Sequence, residues 1–243
     1  MDLQLDEKKT DNINIEDNKD LNFNNQLDNQ VKLITYTKNI DDNKNLEELI
    51  VYCARVSNPA NQYTNMNNGK LIKYLISNAH WSPFEMISIC LEINTTRDIS
   101  RQILRHRSFS FQEFSQRYAK AELGFEFREA RLQDKSNRQN SIETIDTELN
   151  TKWIQLQNEV QETSLKAYNW ALSNGIAKEQ ARVVLPEGNT MTRLYMNGTL
   201  RSWIHYIQLR SGNGTQKEHK KIAIGCANAI KSIFPLIMDF ISE

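Results

Sequence analysis

Read from the N-terminus, the chain shows no sustained hydrophobic period until Val31. Residues 1–30 are rich in Asn and Asp and contain no Gly, Pro, Cys or His. Such a composition predicts a polar, disordered tail. From Val31 the pattern changes. "VKLITYT" alternates loosely and predicts a first strand. "NLEELIVYCARVS" puts Leu46, Leu49, Ile50 and Cys53 on one helical stripe. Residues 71–79 predict a second helix with Leu71, Leu75 and Ile76 inward. It breaks at "HWSPFE", because Pro83 disfavours helix in the residue before it. "MISICLEINTT" then places Ile87, Ile89, Leu91 and Ile93 at period two, the mark of a half-buried strand.

Residues 97–105 read as a helix with Ile99 and Ile103 inward and Arg97, Arg101 and Arg105 four apart on another face. Residues 121–150 are polar and read mostly as loop. A long helix over 150–174 carries Trp153, Leu156, Val160, Ala167 and Ala171 as its apolar positions. A short helix is stopped by Pro186, and another starts near Thr199, after "NG". The last covers 216–240 and ends in "IFPLIMDFI". No internal repeat is visible. Helices dominate over a few strands, which predicts an α+β domain over residues 31–243.

Composition narrows the function classes. The 243 residues allow one large domain or two small ones, and 39% are apolar, enough for a core. Lys and Arg total 30, as do Asp and Glu. A general nucleic-acid binder is usually basic overall or carries a basic face, so neutrality leaves room only for a local patch. No run approaches the roughly eighteen consecutive apolar residues of a membrane span. The opening "MDLQLDEKKTDNINIEDNKD" has no apolar signal region, so a cytoplasmic protein is expected. Cys53, Cys90 and Cys226 form no CxxC pair, suggest neither a zinc site nor a disulfide framework, and read as small buried hydrophobes. No glycine-rich phosphate loop, nucleophile elbow or HExxH motif occurs.

Three constellations could carry chemistry. In "RHRSFSFQEFSQR", residues 105–117, neighbouring Arg105, His106 and Arg107 cannot all be buried unless paired. Glu113, Ser115 and Arg117 follow at spacing two and share one side if that piece is extended. A carboxylate, a hydroxyl and a guanidinium together suit a small polar anion better than a uniform phosphate backbone, and arginine's fork matches two oxygens. In "TLRSWIHYIQLR", Arg201, His205 and Gln208 form one polar helix face opposite Leu200, Trp203, Ile204 and Ile207, with Arg210 at the end. In "HWSPFE", His80, Ser82 and Glu85 flank Pro83 just before the strong strand.

Arg105-His106-Arg107, seven residues, then Ser115 resembles the signature of flavin-dependent thymidylate synthases. "H-x-S-P-F-E" (residues 80–85), "R-Q-x-x-R-H-R" (101–107), "E-x-S-x-R-Y" (113–118), "A-R-x-V-L-P" (181–186) and "R-S-W-x-H-x-I-x-L-R" (201–210) follow in that family's order. The resemblance covers roughly residues 31–240. It implies helices packed around a small, mostly antiparallel sheet in a single domain. It also implies conversion of dUMP to dTMP, with methylenetetrahydrofolate as carbon donor, FAD as hydride carrier and NADPH as reductant. The enzyme it implies is a homotetramer whose active sites lie at subunit interfaces, without a cysteine nucleophile or a metal.

Site roles follow from the same resemblance. Arg210 is similar to the arginine that binds the uracil ring and favours ionisation at its N3, a fixed cation beside a developing anion. Gln102, Arg105, Glu113, Ser115, Arg117 and Arg182 resemble the rest of the dUMP-binding set, with Ser115 and Arg117 at the phosphate. Arg105, His106, Arg107 and Glu113 resemble the FAD-binding set, joined by Thr199, Arg201 and His205. Ser82 resembles an FAD contact made from another subunit, and His80 a histidine close to the flavin. The chain departs from the commonest pattern at Gln112, at His205, at Thr199 and at Gly214, where many members carry a histidine. Two other readings compete. A nucleic-acid module would use Arg105, Arg107 and the phenylalanines as a stacking platform. A homologue that binds flavin or dUMP without turnover is suggested by the altered "SGNG" loop.

Overall fold

The computed structural model describes residues 30–40, 44–63 and 68–242. All but Gln30 of the expected tail lies outside them. A four-stranded sheet runs in the order β1 (Val31–Tyr36), β2 (Ser88–Thr96), β6 (Met191–Thr199), β3 (Phe109–Glu113), antiparallel throughout. Strands β4 (Arg131–Gln133) and β5 (Ser141–Glu143) form a separate hairpin. The helices are α1 (Leu46–Ala54), α2 (Asn68–Ser77), α3 (Arg97–Ile103), α4 (Thr147–Ser173), α5 (Lys178–Ala181), α6 (Leu200–Ser211) and α7 (Lys217–Lys231).

Alternation decides which face of the sheet is covered. Ile89, Leu91 and Ile93 of β2 and Leu194 and Met196 of β6 are fully buried. On them pack Leu200, Trp203, Ile204 and Ile207 of α6 and Ile222, Ala223, Cys226 and Ile230 of α7. Trp203 donates its indole N–H to the Ile89 carbonyl at 3.0 Å, which satisfies its one polar atom inside the core. The opposite face is a polar ladder, with Tyr195 on Glu92 at 2.9 Å and Arg193 on Asn94 at 2.8 Å. Two glycines permit close contacts. A Cβ on Gly198 would lie 2.4 Å from the Phe109 ring, and one on Gly225 of α7 would lie 2.9 Å from Val31.

Four expectations need correction. Strand β6, between Pro186 and Thr199, was not assigned from the pattern, although it lies between β2 and β3 in the sheet; its buried set is Thr192, Leu194, Met196 and Gly198, too polar to announce itself. Residues 121–150 are mostly loop, as expected, with the short strands β4 and β5 and the start of α4 among them. The final helix ends at Lys231, and Pro235–Phe240 continues as a 3-10 turn. The stretch 113–117 is not extended throughout. β3 stops at Glu113, and Tyr118 and Ala119 both donate backbone N–H to the Ser115 carbonyl at 3.1 Å, turning the chain. Finally, the expected apolar stripe of α4 does not face this chain's core. Trp153, Leu156 and Val160 are 43%, 41% and 53% exposed, Ala167 is exposed too, and only Ala171 of the stripe is buried. Gln157 is buried instead, because its amide clamps the backbone of Arg128 in both directions, at 2.9 and 2.8 Å.

Candidate active site

One cleft forms where the turn Ser82–Met86 meets the start of α6. Ala79 enters it in a left-handed conformation (φ 54°) at the end of α2. Pro83 and Phe84 are buried, which anchors the turn, and Glu85 reaches across. Its carboxylate accepts from Thr199 Oγ1 at 2.7 Å and from Arg201 Nη1 at 2.5 Å. The Arg201 bond, then Thr199, holds the Glu85 carboxyl below its usual range. Thr199 also caps α6 by accepting from the Ser202 N–H at 3.3 Å. Glu85, Ser108, Thr199, Arg201, Ser202 and His205 line an open cavity of about 360 Å³. The His205 ring meets Trp81 edge-on, with centroids 4.7 Å apart, and burial followed by Arg201 lowers its pKa. His80 and Ser82 are exposed on either side of Trp81, and His80 lies against Tyr74.

A second group forms behind α3. Past its end the His106 N–H donates to the Ile103 carbonyl at 3.0 Å, which turns His106 inward while Arg105 and Arg107 stay exposed. Arg210, at the end of α6, donates its Nε–H to His106 Nε2 at 2.9 Å. Burial and then Arg210 push the His106 pKa down to about 4, so near neutrality the ring is uncharged and can accept that bond. Holding Nε in this way leaves the two terminal nitrogens of the guanidinium for a ligand. Gln102 of α3 joins the group through His219, whose Nδ1 lies 3.2 Å from Gln102 Oε1 and whose Nε2 lies 3.1 Å from the Tyr206 hydroxyl.

The remaining site residues are placed differently. Glu113 closes a buried junction. It accepts from Ser100 at 2.9 Å, Thr192 at 3.1 Å and Arg101 at 3.2 Å, with Arg97 at 3.9 Å. Arg117 pairs with Glu179 of α5 at 3.3 Å, and Arg182 directly follows α5, so these two arginines belong to one corner with Ser115. No hydrogen bond or ion pair links that corner to Gln102 or Arg210 among the described residues. Arg105, Arg107 and Arg182 have no carboxylate partner among the described residues.

Thus the chain presents an open polar cleft built on the Glu85–Arg201 ion pair, an arginine fixed by a neutral histidine of the Arg-His-Arg motif, and a separate corner of arginines. The sequence profile of the family described as "Thymidylate synthase complementing protein" matches residues 32–236. A "probable flavin-dependent thymidylate synthase" of Paramecium bursaria Chlorella virus 1 is 51% identical over 84% of this chain and 92% of its own length. The flavin-dependent thymidylate synthase of a Synechocystis strain is 53% identical over 79% of this chain and 87% of its own length. This chain belongs to the flavin-dependent thymidylate synthase family. A solved structure of a UMP/dUMP methylase, PolB of Streptomyces cacaoi bound with 5-Br dUMP, superposes with a TM-score of 0.74 at 25% identity, covering 86% of this chain and 93% of that one.

For a flavin-dependent thymidylate synthase, the fold adds residues that the motifs did not reveal. Tyr206, Gln216, Glu218 and His219 surround Gln102 and Arg210 from α6, α7 and the turn between them. Tyr206 and His219 meet only because two helices pack side by side. The only sequence signal for them is negative: Tyr206 interrupts no stripe, and His219 falls on the buried side of α7.

Proposed function

We propose that this chain makes dTMP from dUMP, with methylenetetrahydrofolate as carbon donor, NADPH as reductant and FAD as bound cofactor, working as a homotetramer. The observation that carries the reading is the Arg210–His106 bond. It joins the residue expected to hold the pyrimidine to the centre of the expected flavin motif. The residues present fit FAD: a dinucleotide carries two phosphates, and Arg105 and Arg107 are exposed guanidiniums without a carboxylate partner among the described residues, beside the cleft that holds Arg201 and His205. Bound there, FAD supplies the hydride.

The chain's own residues bind, orient and place charge. Arg210 offers its terminal nitrogens to the pyrimidine and stabilises negative charge that develops on it. Ser115, Arg117 and Arg182 hold the dUMP phosphate, and Arg201 and His205 hold the flavin. Ser82, exposed at the rim, reaches a neighbouring subunit's flavin, and His80, also exposed, lies close to the flavin. Two features support an assembled site: the two halves of the dUMP set lie in separate groups of one chain, and α4 exposes an apolar face. The cysteines support a route without a nucleophilic thiol, since Cys226 is fully buried and burial raises the pKa of all three.

Anaerobic titration tests this. The purified protein should show a flavin spectrum that NADPH bleaches, faster with dUMP present. Arg210→Ala should keep the flavin and lose dTMP formation by at least about a hundredfold. A protein that takes up no FAD, or an alanine variant that turns over normally, would refute the reading.

A further inference from the structure

Gln102, Gln216, Glu218, His219 and Tyr206 form one continuous chain of hydrogen bonds, and its direction can be read from one end. Arg131 donates to Glu218 Oε1 at 2.6 Å, and Arg128 lies 3.8 Å from Oε2. Burial alone would raise the Glu218 carboxyl. Its own backbone N–H and the two arginines outweigh that and hold it below the usual range, so it is a carboxylate that can only accept. The neighbouring Gln216 must therefore turn its NH2 to Glu218, at 2.9 Å, and its carbonyl to Gln102. Gln102 in turn donates its NH2 to Gln216 Oε1 at 2.8 Å, which points its own carbonyl at His219 Nδ1, 3.2 Å away. That nitrogen carries the proton, so Nε2 accepts from the Tyr206 hydroxyl at 3.1 Å. Reversing any amide would set two donors or two acceptors face to face.

The environment of the two ends differs. His219 and Tyr206 are buried to 0% and 1% exposure, so the Gln102 carbonyl faces the protein interior. Gln216, which accepts from the Gln102 NH2, lines an open cavity of about 640 Å³ beside the β4–β5 hairpin, and Gln102 itself is half-buried, so its NH2 points away from the buried His219 end. One of its two N–H groups is used by Gln216, and the other is free.

We infer that the Glu218–Gln216–Gln102–His219–Tyr206 relay locks Gln102 as a hydrogen-bond donor toward the pyrimidine, so that it selects a 4-carbonyl base over a 4-amino base. Gln102 is the residue that touches the base. Gln216, Glu218, His219 and Tyr206 are positioning residues. A uracil ring offers a carbonyl acceptor at C4, and a cytosine ring offers an NH2 that would meet the Gln102 NH2 donor to donor. The buried neutral imidazole makes this insensitive to pH, because burial, Arg210 and His106 together lower the His219 pKa to about 3. The inference rests on the proposed dUMP site, in whose binding set the resemblance places Gln102, and assigns that residue to the base.

The test uses the full-length, flavin-loaded protein with dUMP and dCMP as probes. Affinities are measured by equilibrium dialysis for the native protein and for Q102L, Q216L, E218Q and H219F. The histidine tautomers are read by nitrogen-15 NMR of histidine-labelled protein. His219 should titrate nowhere between pH 5 and 9 and carry its proton on Nδ1. Native protein should prefer dUMP, and each relay variant should lower the dUMP-to-dCMP affinity ratio by about tenfold. Q216L and E218Q alter partly exposed residues and keep the test open if H219F does not fold. If Q102L lowers dUMP affinity while the relay variants leave the ratio intact, the relay is overturned and the pyrimidine assignment stands. If Q102L binds dUMP like the native protein, both fall. A proton on Nε2 of His219 overturns the relay's direction.

Discussion

His106 and His219 illustrate how burial assigns a role to a titratable side chain. Their pKa values lie at about 4 and about 3, below the ordinary value of 6.5. In the unfolded chain both return to that ordinary range, so between about pH 6.5 and pH 4 the unfolded state binds protons that the folded state refuses. Folding stability is therefore full above pH 6.5 and declines as the pH falls through this window. Chemical denaturation at pH 7.5, 6 and 5 should show the decline, and H219F should show a shallower one. A profile that H219F leaves unaltered would mean that His219 is not held neutral. The same residues show what the sequence disclosed at this scale. Arg210, His106 and Arg201 were marked by their motifs. His219 and Tyr206 were not, because their partners come from other helices, and a residue's hydrogen-bond partner across a packed interface leaves no local period. Glu113, which its motif marked for a ligand, also accepts from Ser100, Thr192 and Arg101, contacts that no local spacing announces.

At the level of elements, β6 and α6 act as one unit. β6 ends at Thr199, the cap of α6, so the register of the strand sets where Arg201, His205 and Arg210 project. Gly198 fixes that register against Phe109. Gly198→Ala should force the Phe109 ring to shift and cost roughly 1–3 kcal/mol of stability. It should also weaken flavin retention, because the strand end carries Thr199. The denaturation midpoint and the bound flavin per chain, measured on one preparation, check both. Strand β2 was legible from the alternation of Ile89, Leu91 and Ile93, whereas β6 mixes threonine, glycine and arginine with its two buried large apolar residues, Leu194 and Met196, and was not. The phenylalanines settle another question of the same kind. Phe109 is 9% exposed and packs edge-on against Trp203 at 4.8 Å, so it belongs to the core rather than to a stacking platform for bases.

For the whole molecule, the telling element is α4. It is a 27-residue helix with Gln157, Tyr168 and Ala171 as its buried residues, while Trp153, Leu156, Val160 and Trp170 are between 41% and 63% exposed. A large apolar face left open on one chain marks an interaction surface. Val160→Glu should leave the secondary structure of the chain unaltered, since that side chain touches solvent in the single chain, and should shift sedimentation toward smaller species. Bound dUMP should fall with it, because Arg117 and Arg182 stand apart from Gln102 and Arg210 within one chain. Sedimentation velocity with and without dUMP measures both, and a Val160→Glu protein that keeps its size and its affinity would show that the helix face is not the assembly surface. No helix among the described residues is long and apolar enough to cross a membrane, so this face is not a membrane span.

The sequence alone determined the periodic elements that bury apolar residues locally, namely β1, β2, α1, α2 and α6, and the family motifs with their arginines. These depend on spacing along the chain, which the order of residues states directly. The tertiary structure decided which arginines are free and which are neutralised, that His106 holds Arg210, that Gln102 is turned by His219 and Gln216, and that the face of α4 points outward. Each of these is a contact between residues distant in sequence. Its energy depends on burial and on the direction of a hydrogen bond, and neither exists until the chain has folded.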